Sequence, residues 1–141
     1  LCKVLFEKVI SMIIVGSTNA DVGIQQGMDI LKNGGSAMDA VEATIRLVED
    51  NPDDHTVGYN SYPNILGDLQ LDASIMDGAT LETGAIAAMQ GFREAISIAR
   101  RVKDTLPHVQ LSGDGAERFA GVLGSEEHAE MLTQGIREAR Q

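Results

Sequence analysis

Apolar and polar residues alternate most clearly between Leu69 and Ala88, in LQLDASIMDGATLETGAIAA. Leu69, Leu71, Ala73 and Ile75 recur at every second position, with Gln70, Asp72 and Ser74 between them. That spacing predicts a strand with one buried face. Asp77-Gly78 follows as a turn signal, because glycine accepts positive φ at little steric cost, and a β-hairpin is the natural reading. The second arm, Gly84–Ala88, is small and apolar throughout, the pattern of a strand covered on both faces.

The rest of the chain alternates between helical and extended patterns. Met12-Ile13-Ile14-Val15 is a short apolar run stopped by Gly16 and reads as a buried strand. Ser17–Asp21 reads as a polar loop. From Val22 to Lys32, Ile24, Met28 and Leu31 recur at helical spacing, and Asn33-Gly34-Gly35 ends that helix as a C-cap does. Ser36 opens the next helix as an N-cap, with Asp39 completing an approximate capping box. Ala37, Val41, Thr44, Ile45 and Val48 form its apolar side, while Arg46, Glu49 and Asp50 are expected to face water. Asn51-Pro52 breaks it, because proline cannot continue a helix and disfavours helical geometry just before itself.

His55 to Asp68 reads as loop, punctuated by Gly58, Asn60, Pro63, Asn64 and Gly67. Phe92 to Lys103 is a predicted helix with Phe92, Ala95, Ile96, Ala99 and Val102 inward. Val109–Leu111 reads as a short strand, Gly113–Phe119 as the start of another helix, and Gly121–Gly124 as a break. Ser125 is expected to cap a last, polar helix through Arg140, with Leu132 and Ile136 as its main apolar contacts. This order of strands and helices predicts an α+β fold with helices covering one face of a sheet.

Composition narrows the function classes. At 141 residues the chain is the size of one ordinary domain and can bury a core. Its net charge of −10 argues against nucleic acid and anionic membrane surfaces as partners. No apolar stretch approaches the roughly 20 residues of a membrane span, and Leu1–Ser11 is too short and too charged for a secretory apolar region. A cytoplasmic location is therefore expected. Cys2 is the single cysteine, so no internal disulfide forms. Leu1–Ser11 is read as an extension of unknown role, with Met12 a possible natural initiator.

Several motifs together resemble one family. Leu71-Asp72-Ala73-Ser74-Ile75-Met76-Asp77-Gly78 is similar to the "LDA-x-IMDG" signature of the type 2 asparaginases, which include glycosylasparaginases and isoaspartyl peptidases. Gly34–Glu42 resembles that family's "GGSALDAVE". Thr56-Val57-Gly58-Tyr59, with Pro63 and Gly67, resembles "SVGFGGxPxxxG". Pro107-His108-Val109 through Gly113–Ala120 resembles "PHVLLVGEGAxxFA". The motifs occur in the family's order and span roughly Ile13 to Ala120.

The resemblance implies a four-layer αββα sandwich of the N-terminal nucleophile hydrolase type, with residues 12–124 as its N-terminal, α fragment and 125–141 as a polar helix or linker. It implies a hydrolase of the side-chain amide of asparagine, or of a β-aspartyl or N4-glycosyl derivative. The nucleophile would be the N-terminal threonine of a partner β fragment, its α-amine acting as base. An (αβ)2 assembly is implied, and no metal or organic cofactor. The family's nucleophile motif, "DTIG" or "GTVG", lies beyond the point matching Ala120 and has no counterpart in this sequence. No catalytic residue is therefore expected here. The alternative is a truncated, inactive structural or interaction domain descended from the enzyme.

The individual candidates also have plainer roles open to them. Asp54-His55-Thr56-Val57-Gly58 superficially resembles the cleavage motif "HDTVG", but it aligns without a gap to "SVGFGG" in the noncatalytic fragment. Thr56 thus reads as a loop threonine bonding its own backbone. His55, His108 and His128 are far apart, and no His, Cys and Asp cluster has metal-ligand spacing. Gly113-Asp114-Gly115 reads as a backbone turn and not a phosphate loop. Asp72, mid-strand, is expected to support the active-site wall, with Gly58 and Asn60 as further supporting residues; Asp77 is explained by its turn. Glycosylasparaginases carry Trp and Phe where this chain has Gly16–Val22 without an aromatic, which weakens glycosylated asparagine as the expected substrate.

Overall fold

The computed structural model describes residues 12–132. The proposed extension at 1–11, and residues 133–140 of the proposed last helix, lie outside them. Among the described residues, four α-helices and three strands appear in the order α1 (Ile24–Lys32), α2 (Ala37–Glu49), β1 (Leu71–Met76), β2 (Thr83–Met89), α3 (Ala95–Thr105), β3 (Gln110–Ser112) and α4 (Asp114–Val122). The fold is α+β, as the pattern predicts.

The sheet order is β1-β2-β3, with β1 and β2 antiparallel and β2 and β3 parallel. The register puts Ala73 opposite Ile86, and Ile86 opposite Leu111; Ile75 faces Gly84. Side chains on paired positions share a face, so Leu71, Ala73, Ile75, Ile86 and Leu111 point to one side. Helix α3 lies against this side. Its Ala95, Ile96, Ile98, Ala99 and Val102 are buried with Leu71, Ile75, Ile86 and Met89, and Ala116 and Ala120 of α4 join the same core. At Gly84 α3 lies close against the strand: a Cβ there would stand 2.2 Å from the Ala99 carbonyl oxygen. Helix α2 packs outside α3, and α1 outside α2.

Among the described residues nothing covers the opposite face of the sheet. Ser74, Met76, Gln110 and Ser112 are exposed on it, and Thr83, Ala85 and Ala87 are half-buried. Within the described residues Gly84–Ala88 is covered on one side, by α3, whose close approach requires glycine at position 84.

Ser36 caps α2 as expected. Its hydroxyl accepts the Asp39 N–H, and the Asp39 carboxylate accepts the Ser36 N–H, both at 3.1 Å. Arg100 of α3 reaches back to Asp39 at 2.7 Å and Glu42 at 2.6 Å, tying the two helices together.

Other expectations are corrected. Met12–Val15 forms no strand; it has an apolar strand's pattern, but among the described residues no neighbouring strand satisfies its backbone, and Ile13 and Val15 are 76% and 86% exposed. Thr18–Val22 forms a 3-10 helix in place of a loop. Ala37 and Val41 of α2 face outward, because its inward stripe runs through Ala40, Thr44, Val48 and Glu49. Helix α4 continues through Gly121 to Val122 and stops at Gly124, whose φ is +78°. Ser125 starts no helix within 125–132; His128 N–H instead bonds the Gly91 carbonyl at 2.7 Å.

The hairpin connection is also longer than Asp77-Gly78. It spans Asp77–Glu82, closed by the Asp77 N–H donating to the Glu82 carbonyl at 2.9 Å and by the Leu81 N–H donating to the Asp77 carbonyl at 2.8 Å. Positive φ falls on Leu81 (+62°) and not on Gly78.

Candidate functional site

The residues expected to support a site occupy two places: the loop after α2, and the start of the sheet's first strand. In the loop, chain direction reverses sharply because Gly58 and Asn60 both take positive φ, +66° and +64°. Only glycine fits at position 58, since a Cβ would lie 2.2 Å from the Glu49 carbonyl oxygen. Asparagine is among the few other residues that enter the left-handed region readily. The turn is pinned by the Tyr59 N–H donating to Glu49 O at 2.7 Å and the Asn60 N–H donating to Met131 O at 2.9 Å. The Asn60 side chain, in a buried residue, donates to Pro52 O at 3.1 Å.

His55 completes this loop. Its Nδ1 lies 3.0 Å from the Asn60 carbonyl, which can only accept, so the hydrogen bond places the proton on Nδ1. Its ring meets Tyr62 edge-on with centroids 5.8 Å apart. Exposed Tyr62, Ile65 and Leu66 follow, at 69%, 93% and 81%.

Thr56 carries no activated hydroxyl. Its Oγ1 donates to Asp54 Oδ1 at 2.5 Å, and its N–H donates to the same oxygen at 2.8 Å. The hydrogen bonds from Thr56 hold the Asp54 carboxyl below the usual carboxylate range, which makes it a weak base. The pair is a local turn, as expected.

Asp72 sits on the open face of the sheet, exposed and not turned inward. Its Oδ1 accepts the Ala88 N–H at 2.7 Å. The register slips between Leu71 and Ala73, and Ala88 has a φ of +51°. Asp72 thus holds an irregularity in β2 where a regular ladder bond is missing. Beyond it, the Gln90 N–H donates to Glu117 Oε1 at 3.1 Å, and Gly91 turns at a φ of +77°. Gln90 and Gly91 form one wall of a cleft of about 410 Å³, with Leu69, Glu117, His128 and Met131 around it.

Of the remaining candidates, His108 is exposed and Gly113 begins α4 at a φ of +48°, its carbonyl accepting the N–H groups of Ala116 and Glu117. The backbone-turn reading of Gly113–Gly115 therefore holds. Asp77 Oδ1 accepts the Ala79 N–H at 2.8 Å, a turn role within the longer connection. Among the described residues no group of His, Cys, Asp and Glu is arranged to hold a metal ion, and no helix is long and apolar enough to cross a membrane.

Two residues escape the sequence pattern. Glu49, expected in water, is 5% exposed, with Oε1 accepting the Ile96 N–H at 2.9 Å and Oε2 buried without a hydrogen-bond partner. Burial pushes its pKa up to about 8. Arg93 lies over the Tyr59 ring, 3.9 Å from its centroid. One local signal does mark Glu49: an acid in the last turn of a helix opposes the helix dipole, so it needs another reason to be there.

Comparison with known proteins bears on these arrangements. A family model described as Asparaginase matches residues 17–140. Over 99 residues the chain is 44% identical to an isoaspartyl peptidase/L-asparaginase of Mus musculus, covering 70% of this chain and 30% of that protein. It is 47% identical over 91 residues to an N(4)-(beta-N-acetylglucosaminyl)-L-asparaginase of Elizabethkingia miricola, covering 64% and 26%. It is 46% identical over 94 residues to a plant-type L-asparaginase of Pyrococcus abyssi, covering 67% and 30%. The chain thus matches less than a third of the length of these relatives. With its motifs in the same order and a family match across most of its length, this chain belongs to the type 2 asparaginase family.

Proposed function

We propose that residues 12–124 are the α part of an asparaginase-type amidohydrolase, with 125–141 the linker that leads to its processing site. A partner β fragment headed by threonine closes the sheet's open face and completes an αββα sandwich, and two such pairs associate as (αβ)2. The observation that carries this reading is that face: among the described residues nothing packs over Ser74, Met76, Gln110 and Ser112 or the half-buried Thr83, Ala85 and Ala87, and β1 and β3 each pair on one side only. An open edge and a small-residue face are completed by another sheet layer. Exposed Ile13, Val15 and Leu66 add apolar surface for the same partner.

In the reaction, the partner's threonine hydroxyl attacks the side-chain amide carbonyl while its own α-amine takes the hydroxyl proton. The amine portion, ammonia for free asparagine, leaves with that proton, and water then cleaves the aspartyl ester to regenerate the hydroxyl. This chain supplies no reacting group. Gly58, Asn60 and Asp72 shape backbone that supports the pocket wall, through the turn after α2 and the bulge at Ala88.

The relatives' names span isoaspartyl peptides, asparagine and glycosylated asparagine. Without an aromatic in Gly16–Val22, this chain favours the unglycosylated amides. The test is hydrolysis of asparagine and a β-aspartyl dipeptide by the native protein. Turnover that disappears when the companion chain is separated supports the proposal. Turnover by this chain alone overturns it, as does a native assembly that hydrolyses neither substrate.

A further inference from the structure

The deepest titratable group among the described residues has no part in the chemistry proposed above. Glu49 ends α2 and touches two other elements. Its carbonyl accepts the Tyr59 N–H at 2.7 Å, and Gly58 packs directly onto its backbone. Its Oε1 accepts the Ile96 N–H in the first turn of α3, a helix whose preceding residue, Glu94, makes no side-chain cap of its own. Oε2 is buried and has no hydrogen-bond partner. A carboxylate so placed would be an anion with one oxygen unsolvated, which is far costlier than a neutral carboxylic acid at the same position.

We propose that the Glu49 carboxyl is a protonation-dependent clamp between the Gly58–Asn60 turn and the N-terminus of α3. As a neutral acid it stays in the core and caps Ile96. Ionised, it must regain water, and the side chain leaves Ile96 uncapped while the turn seated on its backbone loosens. The raised pKa, caused first by burial, agrees with that geometry.

The charged groups around it offer little compensation. On its own helix, Arg46 is engaged with Glu94 at 2.7 Å and Asp50 adds like charge. From the α3 side, Glu94 also repels, and Arg93 is stacked on Tyr59. From the loop, Tyr59 meets Glu49 through its backbone N–H, at the Glu49 carbonyl. The clamp does not depend on which polypeptide carries the nucleophile, so it stands or falls separately from the proposed function.

The test uses the full chain with any companion that copurifies with it. The carbon-13 signal of the Glu49 carboxyl, assigned through its own backbone amide, is followed from about pH 5 to about pH 10 by nuclear magnetic resonance. Amide exchange at Ile96 and Tyr59 is measured alongside and corrected for the intrinsic pH dependence. The expected result is a carboxyl titrating above neutrality, with Ile96 exchange accelerating about tenfold at the same midpoint. In Glu49→Gln that acceleration should be absent. A carboxyl that titrates in the ordinary range overturns the proposal, as does Ile96 exchange that ignores the titration. Should the variant fail to fold, the wild-type titration and exchange decide the question alone.

Discussion

Asp72 holds Ala88 in a left-handed backbone conformation: its Oδ1 accepts the Ala88 N–H at 2.7 Å, and Ala88 has a φ of +51°. For a residue with a Cβ, occupying that region costs roughly 1–2 kcal/mol, and a hydrogen bond to a charged group offsets much of it. The pair explains how β2 leaves the ladder and turns toward Gln90 and Gly91 at the cleft.

Removing the acceptor should therefore cost stability. Asp72→Ala is expected to destabilise the fold by about 1–2 kcal/mol, and Ala88→Gly in that background should restore part of the loss. Urea midpoints of the single and double variants check this. An Ala88→Gly gain of the same size with and without Asp72 would show that the bond does not constrain Ala88.

Glycines at two turns should behave oppositely. Gly58 combines a φ of +66° with a Cβ position 2.2 Å from the Glu49 carbonyl oxygen. Gly58→Ala is expected to cost about 3 kcal/mol or more. At Gly78 a methyl group would meet open space out to 4 Å, and the φ there is not positive. Gly78→Ala should change stability by no more than about 0.5 kcal/mol. Thermal or urea unfolding separates the two cases.

Thr56→Ala tests the imitation cleavage motif. The hydroxyl is engaged by Asp54, whose carboxyl is held below its usual range. The variant should leave the cleavage pattern and the turnover of native preparations unchanged, at a cost of about 1 kcal/mol in stability for the lost hydrogen bond. Intact mass before and after the substitution is the readout.

The pH profile of stability should carry opposite signatures from two acids. Hydrogen bonds from Ser36, then from Arg100, hold the Asp39 carboxyl down at about 2, against an ordinary value of 3.8. Its contribution is present above pH 3.8 and is lost as pH falls through about 2. Glu49 is raised from 4.5 to about 8 by burial. The folded state therefore holds a proton that the unfolded chain releases, and stability is full below pH 4.5 and declines as pH rises toward about 8. Within that window the slope is at most about 1.4 kcal/mol per pH unit. Urea midpoints at the two ends of the window should differ in wild type and converge in Glu49→Gln.

Much of this architecture is written in local pattern. Ser36 with Asp39 announces the start of α2, and the alternation Leu71, Ala73, Ile75 marks the buried face of β1. The inward residues predicted for α3 and its approach, Phe92, Ala95, Ile96, Ala99 and Val102, are all buried as their spacing implies. What stays hidden depends on nonlocal partners. Met12–Val15 has the composition of a strand, but a strand exists only where a neighbour takes its hydrogen bonds. Asp77-Gly78 suggests a tight turn, yet the Asp77 side chain bonds Ala79 and lets the chain run on to Leu81.

The site divides in the same way. Gly58 and Asn60 stand out because both residue types tolerate positive φ, and both adopt it. Asp72 is visible as an acid in a strand, but its partner lies at Ala88, across a bulge that no periodicity reports. Glu49 looks like a solvated charge because its helical stripe predicts so. Only the seating of Ile96 and Tyr59 against it shows why it is buried.

Above all, the open sheet face is proposed to be closed by a second polypeptide that owns the reactive hydroxyl. Intact mass and N-terminal sequencing of the native protein test this most directly. The expected result is a companion chain, equimolar with this one, whose first residue is threonine. A native preparation holding this chain without any threonine-headed companion would contradict it.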